Sequence, residues 1–361
     1  MIINRRQLTM SGAAAALAAC ARAAPARAAP PADAIGIVAA PNPHTFPLLL
    51  AMSLNAALPV RLLPIPESRD ADALFASGEA DAMLAMTYIG AKKRMTGAIP
   101  DLRLYAISTW RGFFQVAAEG VTNFGDLRGQ TVIVSGPVGS GQGGGGDVIF
   151  QAAARRQGVD PATDLLVQYM PVAQGVERVW AGEAAAITLP SPGSTGLVMR
   201  ARMAQNPIAG AIMRARGAQS GGPGVRLSAA IDFQRVFSGF AAFPEGQLPL
   251  GGLHVCERAL AQADKRAKLD EIARAYADAA ARLMSQPSRH AGAISSAFQT
   301  HFAATGAGNP PAMVISRAVE LGDLIYRSDV QLDTVRGDLS AWLRELLGRD
   351  IDAAFFEGAR G

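Results

Sequence analysis

The sequence has few of the side chains on which most catalytic and metal sites depend. Its 361 residues include only two cysteines and four histidines. No histidine stands at metal-ligand spacing from another histidine, a cysteine or a carboxylate. The motifs G-x-S-x-G and C-x-x-C do not occur, and no pair of carboxylates is marked by its spacing. The sequence therefore predicts a protein that is not an enzyme and that carries neither a metal nor a cofactor.

Charge of one sign and long apolar runs are also scarce. The formal net charge is only +4, and two of those charges belong to Arg5 and Arg6, so the remainder is too weak to predict nucleic-acid binding. After residue 30 no run reaches the roughly 18 apolar residues that a membrane span needs. Half of the residues are hydrophobic, which is ample for folded cores. The length favours two domains.

The N-terminus has the layout of an export signal. Arg5 and Arg6 precede a weakly apolar, Ala-rich run, Met10 to Ala19, which is typical of a twin-arginine (Tat) signal peptide. The run ends in Leu17-Ala18-Ala19-Cys20, which resembles the lipobox of bacterial lipoproteins. We therefore predict that residues 1–19 are removed and that Cys20 carries a lipid anchor on the periplasmic side of the membrane.

Two alternatives remain for this segment. Ala26-Arg27-Ala28 fits ordinary signal peptidase, and the whole N-terminus could be a disordered basic tail. Residues 20–33, rich in Ala, Pro and Arg, are predicted to form a tether. With Cys20 lipidated or removed, Cys256 has no disulfide partner in the mature chain. It ends an apolar, strand-like run, Leu253–Cys256, which predicts a small buried hydrophobe.

From residue 34 onward, short apolar runs alternate with helical stretches, the pattern of an α/β fold. Strands are predicted at 35–38, 60–63, 82–86, 102–108, 113–117, 131–134, 165–170 and 185–189, and helices at 47–55, 71–77, 147–157 and 176–181. From Glu257 the chain is helical almost to its end, with apolar stripes at Leu269–Met284 and Leu339–Leu347. These late helices bring no strands, so they must cover a sheet formed earlier.

The repeated pattern predicts two lobes joined by two crossings. Residues 34–117 and 250–361 are assigned to lobe 1 and residues 118–249 to lobe 2. The crossings fall near Phe113–Glu119 and Leu250–Glu257. A chain that leaves one lobe and returns to it has a two-stranded hinge.

A glycine-rich segment, Ser135 to Gly146, follows a strand and precedes a helix. Gly139, Gly141 and Gly144 satisfy G-x-G-x-x-G, the fingerprint of a dinucleotide site. In that fold an acidic residue ends the next strand, whereas Asp164 precedes it. No lysine follows the glycines, which excludes a P-loop. A milder interpretation is that the turn and the helix N-terminus offer N–H groups to an anionic or polar ligand, and a solvent loop without ligand is the alternative.

Polar side chains that follow strand ends are further ligand candidates, because ligands of open α/β sheets bind outside the carboxyl ends of the strands. His44 and Thr45 follow the first predicted strand, and Thr87 and Tyr88 follow the third. We therefore expect these four residues to face a ligand.

The same rule applies to the second lobe and to the hinge. Thr188, Ser191 and Ser194 lie at or after the end of the last predicted strand. Trp110 and Arg111 lie beside the predicted hinge, where an arginine in a cleft suits a carboxylate or sulfonate. The alternative for Arg111 is a solvated loop position.

The order of several motifs resembles a known family. Asp126–Val134 (DLRGQTVIV) is similar to the DLKGKTVAV stretch of type II periplasmic substrate-binding proteins of the nitrate/sulfonate/taurine class, relatives of which bind thiamine precursors. Gly78–Ala82 and its echo Gly182–Ala186 resemble the family's G-E-A-D-A segment, and Gly158–Pro161 resembles its GLDP. The resemblance covers nearly all of residues 34 to 300.

This resemblance implies a type II bilobed α/β fold that closes on a small anionic or polar organic ligand. It implies ligand contacts at Asn42–Thr45, at Thr87 and Tyr88, and at Gly139, Ser140 and Gly141. It also implies a monomer that works with an ABC permease and ATPase. One departure is Pro190-Ser191-Pro192, where the family often has Glu-Pro.

Three other functions remain open at this stage. An exported Rossmann-type oxidoreductase could use the glycines of residues 139–144. The same bilobed fold also occurs in enzymes, and a binding lobe of this kind could serve a sensor instead of a transporter.

Overall fold

The computed structural model describes residues 33–139, 141–206 and 226–357. The predicted signal peptide, Cys20, nearly all of the predicted tether and Ser140 lie outside the described residues. Within the described ranges, none of the helices combines the length and the apolar character needed to cross a bilayer.

The first sheet has six strands in the order β11-β4-β10-β3-β1-β2. Its strands are β1 (Ile35–Ala39), β2 (Val60–Pro64), β3 (Ala82–Met86), β4 (Leu102–Arg111), β10 (Gly251–Cys256) and β11 (Ile325–Tyr326). The first three are parallel to one another, and β10 runs antiparallel to both β3 and β4. Every residue of β1 is buried, as expected of a parallel strand covered on both faces.

The second sheet has five strands in the order β7-β6-β8-β5-β9. They are β5 (Phe113–Ala118), β6 (Thr131–Gly136), β7 (Leu166–Pro171), β8 (Ala186–Pro190) and β9 (Leu227–Asp232). Strands β6, β7 and β8 are parallel, and β5 is antiparallel to β8 and β9. The described chain is thus a mixed α/β protein with two sheets, as the sequence pattern predicts.

Two details of the predicted strands are corrected. Strand β4 continues through Trp110 and Arg111, so only Gly112 separates it from β5. Strand β5 pairs within the second sheet, whereas residues 113–117 were assigned to the first lobe. The crossing therefore lies at Gly112. The strands β9 and β11 were not predicted.

Twelve α-helices accompany the sheets in the described ranges. They are α1 (Phe46–Leu54), α2 (Ala71–Ala76), α3 (Thr87–Met95), α4 (Gly145–Arg156), α5 (Val172–Trp180), α6 (Gly193–Gln205), α7 (Phe233–Val236), α8 (Glu257–Leu260), α9 (Ala263–Ser285), α10 (Pro287–Phe302), α11 (Ala312–Glu320) and α12 (Leu332–Leu347). Helix α1 is almost wholly apolar and packs against helices α9 and α10. A helix that is apolar all round must be buried in this way.

The two crossings between the sheets lie side by side at the C-terminal end of β4. The returning chain, residues 237–250, follows β4, with the Leu248 N–H donating to the Trp110 carbonyl (2.8 Å) and the Leu250 N–H to the Thr109 carbonyl (2.9 Å). Both connections between the sheets therefore pass through one place, which is the arrangement of a two-stranded hinge.

Candidate functional site

A cavity of about 570 Å³ lies between the two sheets. Its walls come from the segments that follow the parallel strands of both sheets: after β1, β2 and β3 on one side, and after β6, β7 and β8 on the other. The loop of residues 306–310 and helix α10 complete the first-lobe side. This position is the one at which open α/β sheets bind ligands, and the volume suits a small organic molecule.

The cavity wall is mostly carbon. Its apolar side chains are Pro41, Pro43, Phe46, Met86, Ile89, Phe113, Pro137, Val138, Pro171, Val172, Leu189, Pro190, Pro192, Phe298 and Pro310. The charged side chains of the wall all come from the first lobe and are Glu67, Arg69, Asp72, Lys92 and Lys93. We call this cavity the cleft.

The loop after β1 reaches the cleft as the sequence predicts. Asn42 and His44 line it, while Thr45 is fully buried. The Asn42 side-chain oxygen accepts the His44 N–H (3.0 Å) and the Thr45 hydroxyl donates to the Asn42 carbonyl (2.6 Å). These bonds cap the turn that leads into α1.

The His44 ring is held beneath the cleft as a neutral group. Its Nδ1 lies 2.9 Å from the Thr109 hydroxyl, and it packs so closely on Gly251 that a side chain there would overlap it. Burial lowers the pKa of His44 to about 3, so the ring carries no charge near neutral pH. It offers hydrogen bonding but not a cation for an anionic ligand.

Two tyrosines from the C-terminal half hold this loop in place. The Tyr326 hydroxyl donates to the Pro43 carbonyl and the Tyr276 hydroxyl to the His44 carbonyl, each at 2.7 Å. The Tyr276 oxygen also lies 2.6 Å from the Ser108 hydroxyl. The sequence identifies Tyr276 only as part of an apolar stripe. Its hydrogen-bond partner, His44, is more than 200 residues away along the chain, so no local pattern indicates the bond.

If the cleft binds a small molecule, replacing Tyr326 by phenylalanine is expected to weaken that binding about five- to tenfold. The ring stays, but the Pro43 carbonyl loses its donor, and a hydrogen bond of this kind contributes about 1 kcal/mol. Calorimetry measures the affinity. Tyr105→Phe is the control, because it removes a buried hydroxyl that bonds Asp270 away from the cleft and should leave affinity unchanged. Equal affinities for Tyr326→Phe and wild type would contradict the role.

The two residues after β3 serve the hinge and the lobe contact, and neither lines the cleft. The Thr87 N–H donates to the Leu250 carbonyl (3.0 Å) and its hydroxyl to the Pro249 carbonyl, which ties α3 to the returning chain. The Tyr88 hydroxyl donates to the Gly145 carbonyl of the second lobe (2.8 Å). Sequence reasoning placed both residues at the right strand end but could not give the direction of their side chains.

The glycine turn reaches the cleft through Gly141 to Gly146. Gly141 has φ +78°, and a Cβ there would lie 2.5 Å from the Gly136 nitrogen, so the turn requires glycine. Gly139 lies against the Glu67 carboxylate of the first lobe. The predicted contact Ser140 falls outside the described residues.

The N-terminus of α4 is already capped by a carboxylate of its own helix. Asp147 is buried, and its Oδ2 accepts the Gly143 N–H (2.8 Å) while its Oδ1 accepts the Tyr169 hydroxyl (3.0 Å). This negative charge opposes an anion at the helix end. The acidic residue of a dinucleotide site is also in the wrong place. Asp164 precedes β7 and so lies at the amino ends of the parallel strands, whereas the glycine turn lies at their carboxyl ends.

Of the three predicted hydroxyl residues of the second lobe, one lines the cleft and two do not. Ser191 lines the cleft, with its hydroxyl 3.0 Å from that of Ser194. Thr188 is buried inside β8 and donates to the Gln115 side-chain oxygen (2.6 Å). Neither Thr188 nor Ser194 lines the cleft.

Trp110 and Arg111 do not line the cleft either. Trp110 is fully buried and its ring meets that of Phe243 edge-on at 6.2 Å. The Arg111 guanidinium forms a short ion pair with Asp232 and donates to the Gly246 carbonyl (2.8 Å). Arg111 therefore joins the end of β4 to β9 and to the returning chain, and its charge is used at the hinge.

None of the five charged residues of the cleft was predicted from the sequence, and two of them, Glu67 and Lys92, approach the second lobe. Glu67 follows β2, and its Oε2 lies 3.0 Å from the Arg69 Nε, while its Oε1 is buried without a hydrogen-bond partner in the described part of the chain. Lys92 of α3 donates across the cleft to the Gly143 carbonyl (3.3 Å). Glu67 follows the carboxyl end of a parallel strand, so the strand-end rule would have found it had the rule been applied to β2.

Neither a protein-family model nor a curated protein matches the sequence, but solved structures do. An ABC transporter structure from Parabacteroides distasonis superposes with TM-score 0.59 at 15% identity, covering 90% of this chain and 98% of its own. The periplasmic aliphatic sulphonate binding protein SsuA from Escherichia coli gives 0.59 at 13% identity, covering 90% and 91%. The periplasmic nitrate-binding protein NrtA from Synechocystis gives 0.52 at 14%, covering 81% and 71%.

At these identities the likeness concerns the fold, which is the one that the sequence motifs predict. The two sheets, the paired crossings and the cleft between them agree with it. The chain has the fold of the periplasmic binding proteins of ABC importers.

Proposed function

We propose that the protein is the solute-binding component of an ABC importer and that its lobes close around a small organic ligand. The observation that carries this proposal is the cleft of about 570 Å³ at the carboxyl ends of parallel strands from both sheets. A ligand that contacts both walls stabilises the closed form over the open one. The importer can then distinguish the loaded protein from the empty one.

The contacts across the cleft suit a clamp that opens. Polar contacts between the lobes include Tyr88 to the Gly145 carbonyl, Lys92 to the Gly143 carbonyl, Thr195 to Asp323 (2.8 Å) and the partly exposed ion pair of Arg156 with Glu345. Each contributes about 1 kcal/mol or less of net stability, so a ligand that contacts both walls can shift the balance between the open and closed forms. The single residue Gly112 and the adjacent returning chain supply the pivot.

The cleft lacks the groups of an acid–base catalyst. Its histidine is neutral and already lies against Thr109, and the side chains of Glu67 and Asp72 pair with Arg69 and Lys93. We therefore infer a carrier without catalytic activity. The N-terminal export motif and the Cys20 lipobox support a periplasmic, lipid-anchored protein. We propose that it acts as a monomer that delivers its ligand to a membrane permease and ATPase.

The test is to identify the ligand and to observe closure. Native mass spectrometry of the purified full chain is expected to show a bound small molecule. Small-angle scattering is then compared before and after that molecule is removed by dialysis. We expect a larger radius of gyration after removal and a return to the smaller value on re-addition. An unchanged radius with and without a bound molecule would exclude the clamp.

A further inference from the structure

The apolar surfaces of the cleft converge from both lobes. Phe46 and Phe298 meet edge-on at 6.1 Å on the first-lobe side, and Phe113 and Val172 line the second-lobe side. Aromatic and aliphatic walls of this kind bind the carbon body of a ligand through burial of apolar surface. A small inorganic oxyanion has no carbon body to fill a cavity of this volume.

The positive charges of the cleft already have partners. Lys93 forms a short ion pair with Asp72, and Arg69 pairs with Glu67 while its side chain remains 65% exposed. Asp147 already caps the N-terminus of α4. Lys92 donates to a backbone carbonyl and stands in a partly exposed position. An anionic head group at Arg69 or Lys93 would therefore displace an existing ion pair, and one at the start of α4 would compete with Asp147. Lys92 is the cation of the wall whose described partner is a carbonyl and not a carboxylate.

The hydroxyl groups at the second-lobe wall are also engaged. Ser135 donates to the Thr188 carbonyl (2.9 Å), and the Ser191 hydroxyl lies within 3.0 Å of the Ser194 hydroxyl. An oxyanion in a site without water needs several donors converging on it. The described side chains of this wall do not present such a set.

Glu67 supplies a hydrogen-bond acceptor, whereas an anionic ligand would need donors. Its side chain is 13% exposed, and Oε1 is buried against Gly139 of the second lobe without a donor in the described ranges. A buried carboxylate oxygen without a donor is unfavourable. Separation of the lobes would expose this oxygen, and an N–H group of a ligand held between Glu67 and Gly139 would then satisfy it and contact both lobes.

Given the proposed solute-binding function, we propose that the ligand is an organic amine with an aromatic or aliphatic body. Its N–H group donates to Glu67 Oε1, and its body packs between the phenylalanines of the two lobes. Specificity for the head group then resides in Glu67, a residue of the first lobe whose free oxygen faces the second. The cleft selects against sulfonates and nitrate.

The test uses two probes with the same body, phenethylamine and 2-phenylethanesulfonate, on the full chain freed of its co-purified ligand. Calorimetry is expected to show at least tenfold tighter binding of the amine. Glu67→Gln is expected to lose at least tenfold in amine affinity and none in sulfonate affinity. Glu79→Gln is the matched control: it removes an exposed first-lobe carboxylate that does not line the cleft and should change amine affinity less than threefold.

Tighter binding of the sulfonate, binding of neither probe, or amine binding that survives Glu67→Gln would each overturn the assignment of the amine. The proposed solute-binding function is decided separately, by compaction on the co-purified ligand. A sulfonate that binds and compacts the protein would leave that function standing while ending the proposal for Glu67.

Discussion

Replacing Arg111 by alanine is expected to destabilise the folded protein by about 3–5 kcal/mol, because removing one partner of a buried ion pair leaves the other charge uncompensated. Arg111 and Asp232 have side chains only 16% and 14% exposed. Arg111 also donates to the Gly246 carbonyl and lies over the Phe114 ring at 5.4 Å. The variant thus loses the link between β4, β9 and the returning chain together.

The size of this effect should depend on pH. Burial raises the pKa of Asp232 above its usual value of 3.8, and Arg111 opposes that rise. A carboxyl whose folded pKa is raised lowers the stability as pH climbs above the unfolded pKa. Without Arg111 the pKa rises further, so the stability deficit of the variant should be largest at neutral pH and smaller near pH 4. Urea unfolding at both values measures it.

Arg235→Ala is the matched control for this pair. Arg235 approaches the same Asp232 oxygen at 3.5 Å, but its side chain is 74% exposed. Exposed pairs contribute less than about 1 kcal/mol. If Arg111→Ala unfolded at the same urea concentration as Arg235→Ala, the hinge role of Arg111 would have to be abandoned.

Replacing Trp342 by alanine is expected to cost a further large amount, about 3–5 kcal/mol. Trp342 is fully buried on α12, and its ring meets Tyr88 at 5.7 Å and both Phe237 and Phe243 at 6.4 Å, all edge-on. The cavity left by alanine would loosen α3 and the returning chain, which together flank the hinge. Chemical unfolding followed by circular dichroism measures the loss, because the substitution itself changes the tryptophan fluorescence.

Two further variants separate packing from polarity at this position. The Trp342 Nε1 has no hydrogen-bond partner in the described part of the chain, so Trp342→Phe should retain most of the stability. Met313→Ala on α11 removes a side chain that is 65% exposed and should change stability by less than about 0.5 kcal/mol. A Trp342→Ala protein as stable as Met313→Ala would refute the role of this cluster.

Most strands were predictable because their signal is local. The runs that became β1, β3 and β6 are apolar without interruption, which is typical of parallel strands buried on both faces. The two-residue strand β11 and the edge strand β9 carry no comparable run. The partner of a strand is not a local property either, and for this reason β5 was assigned to the wrong lobe.

The candidate site was predictable in position but only partly in composition. The strand-end rule led to His44 and Ser191, and the family resemblance led to Asn42 and Gly141, all of which line the cleft. The strand-end rule also led to Thr87, whose hydroxyl is bonded to the returning chain and does not reach the cleft. The rule was not applied to β2, the strand that Glu67 follows.

The sequence by itself determined the order of strands and helices, the burial of the apolar runs and the place where strand ends gather, because these follow from the periodicity of neighbouring residues. Only the tertiary structure decided which polar side chains remain available to a ligand. The side chains that are not available are bonded to partners that can lie more than 100 residues away along the chain, as in the bonds of Arg111 to Asp232 and of Thr87 to Pro249. A side chain already bonded inside the protein cannot serve a ligand without breaking that bond, and no local pattern records such a partner.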